Sequence, residues 1–152
     1  MIHSKPELVA IAIDIAIREG IPPELCCAII EILSGWNPAL VEQSMDPMQY
    51  NPNLSSLKAP NARLGLLQIN SQAAKDLGYN QTQMELLEPT LNVQIGCKML
   101  RKALETTQNN ADRALLCVYG YSVAGLIPKI QAKIKPYREF ISARPVVTLQ
   151  SQ

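Results

Sequence analysis

From Leu25 to Leu33 the chain reads Leu-Cys-Cys-Ala-Ile-Ile-Glu-Ile-Leu, apolar at every position except Glu31. A helix that is apolar almost all round must be covered on most sides. This run therefore predicts a helix through the middle of a domain, with Leu33 buried near its end. On a helix of about 3.6 residues per turn, positions two apart differ by roughly 200°. Glu31 is thus expected on the outer, solvent-facing side of that helix, almost opposite residue 33.

The flanking sequence is punctuated for more helices. Ser4 followed by Glu7 has the spacing of a capping box. Leu8, Ile11, Ala12 and Ile15 then form one stripe up to Gly20, a natural stop. Pro22 and Pro23 open the apolar helix at its tolerant first turn. Residues 37–61 have no helical period and contain Pro38, Pro47, Pro52 and Pro60; a stretch of this kind reads as a long loop that is functional or mobile. Leu64 to Asn70 is short and glycine-marked, which suggests a small strand or hairpin. Ser71 is placed as the cap of a short helix ending near Gly78, and another short turn is expected around Gln83 to Leu87. Pro89 opens an amphipathic helix from Leu91 to about Thr106, with Val93, Ile95, Met99, Leu100 and Leu104 apolar. Asn110 caps a helix running from Ala111 to about Val123. Pro128 starts a final pair, broken at Pro136. The pattern is mostly helical. It shows no repeat and no second domain, which suggests one unit over residues 1–145 and a flexible tail over 146–152.

Charge and cysteines narrow the function classes. The chain has 152 residues, 14 basic and 13 acidic, for a net charge of +1. No whole-molecule field favours nucleic acid. Lys129, Lys133, Lys135, Arg138 and Arg144 gather near the C-terminus, either as a solvated helix face or as a contact for an acidic partner. The N-terminus lacks the basic, apolar and small-residue regions of a signal peptide, and no apolar run reaches the roughly 20 residues that span a bilayer. Synthesis in the cytosol is the expectation. Cys26, Cys27, Cys97 and Cys117 lack zinc-ligand spacing and read as buried free thiols. No metal or cofactor is implied.

Three blocks carry a family resemblance. The first is Gly20-Ile21-Pro22-Pro23-Glu24-Leu25, Ala28-Ile29-Ile30 and Ser34-Gly35-Trp36-Asn37-Pro38. The second is Gly65-Leu66-Leu67-Gln68-Ile69-Asn70, followed by Ala74, Leu77 and Gly78. The third is Leu91 to Leu100, then Ala114-Leu115-Leu116-Cys117-Val118-Tyr119. In this order they resemble the soluble lytic transglycosylases, the goose-lysozyme-like enzymes that cut bacterial cell-wall glycan. The resemblance covers roughly residues 8 to 135. It implies an all-α, lysozyme-like helical domain with a small β-hairpin-like segment. It is closest to a branch often found in phages, whose Tyr-Glu-Pro-like loop element corresponds to the region of Met45-Asp46-Pro47 and Tyr50.

The resemblance also implies a chemistry. In the family, one glutamate at the end of the buried helix protonates the glycosidic oxygen between MurNAc and GlcNAc. It then takes the proton of the muramoyl O6 hydroxyl as that oxygen closes on C1. Such an acid must be kept protonated by an apolar wall. One carboxyl serves both steps because the nucleophile belongs to the substrate, unlike the two-carboxylate hydrolases. Matching Ser34-Gly35-Trp36-Asn37-Pro38 puts that glutamate at Leu33, which has no proton to give. The family's Ala-Tyr-Asn-Gly-Gly likewise becomes Val118-Tyr119-Gly120-Tyr121-Ser122, so Tyr119 is kept and the asparagine is Gly120.

The reading that follows is a lysozyme-like domain that has lost transglycosylase catalysis. It would serve as a phage tail or baseplate component, in contact with other virion proteins or with peptidoglycan strands. Ser34, Trp36, Gln68, Asn70, Tyr119 and Tyr121 are the implied groove residues, with Trp36 equally suited to anchoring the loop after its helix. The rival enzyme reading is an active lyase using a displaced carboxylate, Glu42 or Asp46, from the proline-rich loop. A third reading is a module that grips glycan without cutting it. Restoring Leu33→Glu is expected to cost about 2–4 kcal/mol if Leu33 is buried.

Overall fold

In a computed structural model of the protein, residues 3–42 and 62–144 are described. The chain runs through α1 (Lys5–Glu19), α2 (Pro23–Ser34), β1 (Val41–Glu42), β2 (Arg63–Leu64), α3 (Ser71–Asp76), α4 (Gln83–Leu86), α5 (Pro89–Thr106) and α6 (Ala111–Tyr119). A 3₁₀ segment, Tyr121–Leu126, then leads into α7 (Ile127–Ser142). This is the all-α architecture the sequence implies, with a sheet of two short strands. Asp46, Tyr50 and the tail after Arg144 lie outside the described residues.

The ends of α1 obey the local rules. Ser4 accepts from the Glu7 amide, Glu7 reaches back to Ser4, and Gly20 closes the helix in the left-handed conformation. Helix α2 is buried continuously from Leu25 to Ile30 and packs against α1 and α7, while α1 lies on α5 and α5 on α6. Ile29 and Ile30 are fully buried. Each such side chain contributes roughly 1.5–3 kcal/mol by leaving water, so α2 is the centre of the core. Leu33 is a correction: it is half-buried, at the edge of the core rather than inside it.

Strand β2 pairs antiparallel with β1, Val41 opposite Leu64 and Glu42 opposite Arg63. Leu64 also bridges to Ile69. The turn between them, Gly65 to Gln68, is fixed from below by Asn92 of α5. The Asn92 side chain accepts from the Leu67 amide at 2.8 Å and donates to the Leu64 and Leu86 carbonyls at 2.8 and 2.9 Å. Gly65 has φ +73, and a Cβ there would stand 2.5 Å from the Asn92 amide nitrogen. Backbone sign and close approach both require glycine.

Other boundaries differ from expectation for physical reasons. Asn70, not Ser71, caps α3: its side chain accepts from the Ala73 amide at 2.7 Å. Helix α6 stops at Tyr119 rather than near Val123, because Gly120 turns the backbone to φ 76, ψ −175. Helix α7 is not broken at Pro136. Proline in a helix interior costs about 3 kcal/mol, through the bond lost to the carbonyl of Ala132 and through steric crowding. Contacts with α2 on both sides of Pro136 offset that cost. Lys133 pairs with Glu31 at 2.8 Å, Tyr137 donates to Glu31 at 2.5 Å, and Arg138 pairs with Glu24 at 3.1 Å. Two members of the C-terminal basic cluster are thus partnered within the chain. Cys26, Cys27 and Cys97 are buried free thiols as expected, but Cys117 is exposed. Among the described residues no helix is long and apolar enough to cross a membrane.

Candidate functional site

The Gly65–Gln68 turn is where the motif-bearing segments converge. Gly65 donates to the Leu40 carbonyl at 2.8 Å, and Gln68 Nε2 donates to the carbonyls of Leu40 and Gly65 at 3.1 and 2.8 Å. The chain leaving α2 is thereby sewn to the turn. Helix α6 joins from another side: the Tyr119 hydroxyl donates to the Leu67 carbonyl at 2.7 Å. Burial pushes the Tyr119 hydroxyl far above its ordinary value, so it is a fixed donor and not an acid. Gln68 holds a left-handed φ of 50, and its Oε1 is buried without a protein partner among the described residues. The turn stores backbone strain beside an unfilled acceptor.

Arg63 closes the arrangement. Its guanidinium donates to the Tyr119 carbonyl at 2.7 Å and to Ser122 Oγ at 2.6 Å, and it lies 5.9 Å from the centre of the Tyr119 ring. It ties β2 to the end of α6 and to the 3₁₀ segment. Glu42 is exposed and stands opposite Arg63 across the two strands.

The end of α2 is organised differently. Ser34 is buried and donates to the Ile30 carbonyl at 2.9 Å, a bond that holds its hydroxyl inside the helix. Gly35 and Trp36 both take positive φ, 59 and 64. A tryptophan in that region is strained and needs compensation from its surroundings. Trp36 finds it on α7: its Nε1 donates to the Tyr137 hydroxyl at 2.9 Å, and the two rings lie 6.3 Å apart at 58°. These contacts serve the anchoring role. They turn the indole towards α7, where Tyr137 also meets Glu31.

Glu31 therefore departs from expectation. It is half-buried and faces α7, not solvent. Burial opposes its charge, but hydrogen bonds from Lys133 and Tyr137 outweigh that, and its carboxyl is held below the ordinary range. Burial, and then the hydrogen bond to this carboxylate, pushes the Tyr137 hydroxyl well up. An ionised, doubly partnered Glu31 cannot give a proton near neutral pH. Of the remaining sequence candidates, Asn70 is used as the α3 cap, and Tyr121 is 87% exposed at the start of the 3₁₀ segment. The structure brings Gln68 and Tyr119 together at the turn, sets Glu42 opposite Arg63 and sends Trp36 to α7.

Sequence reasoning missed Arg63, Asn92 and Tyr137. Asn92 had a signal: it shares a buried i, i+4 row with Gly96 and Leu100, where an asparagine demands partners. Arg63 and Tyr137 had none, since their partners are 56 and 106 residues away in sequence. Among the described residues no group of three or more His, Cys, Asp or Glu could hold a metal ion.

Comparison with known proteins agrees with this geometry. The transglycosylase SLT domain family matches the chain over residues 11–139. No curated protein and no solved structure matches it significantly. The match takes in the buried helix α2, the Gly65–Gln68 turn and Tyr119, and the chain belongs to the transglycosylase SLT domain family.

Proposed function

We propose that this family member no longer cleaves glycan and acts as a structural or peptidoglycan-contacting part of a phage tail or baseplate. The observation that carries the loss of catalysis is Leu33. The resemblance of Ser34-Gly35-Trp36-Asn37-Pro38 to the family motif supports reading Leu33 as the counterpart of the acid that must protonate the glycosidic oxygen, and an alkyl side chain cannot do so. The neighbouring carboxylate of α2, Glu31, is turned to α7 and engaged by Lys133 and Tyr137. Gly120 adds support. With φ 76 and ψ −175 it occupies a region essentially reserved for glycine, a conformation that an asparagine there would strain.

The rival reading, an active lyase using Glu42 or Asp46, needs a carboxylic acid sheltered by an apolar wall. Glu42 is exposed on a two-residue strand, which counts against it. Asp46 lies outside the described residues. The phage placement rests on the chain's resemblance to the phage-associated branch, in which Met45-Asp46-Pro47 and Tyr50 stand in the region of its loop element. Digestion of purified sacculi tests the loss of chemistry. Co-sedimentation with sacculi separates a glycan-contacting module, which pellets, from a purely structural part, which stays in the supernatant.

A further inference from the structure

Helices α2 and α5 meet through a pair of thiols. Cys26 Sγ and Cys97 Sγ lie 3.8 Å apart, both fully buried, in residues 71 apart in sequence. Packing alone would be served by alanine or valine at such positions. Sulfur facing sulfur adds a reaction that those residues lack.

We propose that Cys26 and Cys97 form a redox latch that closes to a disulfide in an oxidising compartment and fastens α2 to α5. A disulfide needs the sulfurs about 2.05 Å apart, so closure requires them to approach by roughly 1.8 Å. Closure calls for rotation about the two side chains and a small shift of the helices. The oxidant is a low-molecular-weight disulfide. One cysteine, as thiolate, attacks it and forms a mixed disulfide, releasing one small thiol. The second cysteine displaces the other. Two protein thiols are oxidised, one small disulfide is reduced to two thiols, and the two protons leave with them.

The surroundings decide when this occurs. The hydrogen bond with Cys97, and then burial, raises the Cys26 thiol well above its ordinary value, and burial pushes Cys27 up to about 12. Thiolate is scarce in the closed core, so exchange waits for local opening of α2 from α5. Once formed, the bond is shielded from reductants by the same packing. The latch joins α2, which carries Leu33 in its last turn, to the helix whose Asn92 carries the Gly65–Gln68 turn, so it would stiffen both at once.

The test is incubation of the whole chain with oxidised glutathione in urea just below the unfolding transition, then urea removal and peptide mapping by mass spectrometry. The expected product is two mass units lighter, joins Cys26 to Cys97, and melts about 5 °C or more above the reduced form. The Cys27→Ala/Cys117→Ala chain should behave likewise, and Cys97→Ala should lose both the cross-link and the shift. Persistence of four free thiols, cross-links that use Cys27 or Cys117 as readily, or an oxidised form that melts at or below the reduced one would each overturn the proposal.

Discussion

The Glu31 carboxylate accepts a 2.5 Å hydrogen bond from the Tyr137 hydroxyl, and the same hydroxyl accepts the Trp36 indole N–H at 2.9 Å. One tyrosine of α7 thus holds both the polar residue of the central helix and the strained tryptophan that follows it. Tyr137→Phe keeps the ring and removes both bonds. It leaves a buried indole N–H without that acceptor and a half-buried carboxylate with one donor fewer, so a destabilisation of about 1–3 kcal/mol is expected. Urea unfolding of the two proteins measures it.

Glu31 also gives the fold a pH dependence of known sign. Its folded carboxyl titrates below its ordinary value near 4.5. The unfolded chain therefore binds the proton more readily, and the stabilisation is complete above the unfolded value. It is lost as pH falls below about 4.5 and through the folded value. Glu31→Gln should be less stable than the wild type at pH 7, and the gap should narrow as the pH is lowered towards 3. Thermal unfolding across that range reads it; a gap that widens towards acid contradicts the assignment.

The Gly65–Gln68 turn should depend on Asn92 as much as on its own glycine. Asn92→Ala removes one partner each from the Leu67 amide and the Leu64 and Leu86 carbonyls in a dry setting, Leu64 keeping the Ile69 amide, a loss of about 3 kcal/mol. Gly65→Ala meets both a left-handed φ and the Asn92 side chain and should destabilise the fold by a similar amount. Chemical denaturation checks both, and a change below 1 kcal/mol in either would contradict this description of the turn.

Local chemistry made much of this fold legible. The capping box at Ser4 and Glu7, the stop at Gly20 and the all-round apolar run of α2 each act within a few residues, and each was readable. What stayed hidden depends on contacts made across the chain. The continuity of α7 through Pro136 rests on Glu24 and Glu31, more than a hundred residues earlier. The inward turn of Glu31 is set by the same helix, so a count along α2 alone sent it to solvent. The site was less legible than the fold. Motif order pointed to Gln68 and Tyr119, but nothing near Arg63 announced that it would bind the end of α6. The sequence also could not show that Gly120 answers a backbone requirement.

Those features bear on placing an acid at residue 33. Leu33 is half-buried, so Leu33→Glu should cost about 1–2 kcal/mol, less than full burial would imply. Adding Gly120→Asn should cost about 1–3 kcal/mol more. Space is open around a Cβ at residue 120, but the backbone conformation is hostile to one. The double variant is expected to be folded and less stable than the single one. Circular dichroism followed by thermal melts ranks the three proteins.

The central claim is that this transglycosylase-family chain performs no lytic chemistry, and digestion of purified sacculi by the wild-type protein tests it most directly. The account predicts no release of anhydro-muropeptides above a blank, with the protein folded throughout. Clear release that disappears in Glu42→Gln or Asp46→Asn would contradict it and establish a displaced carboxylate as the catalyst.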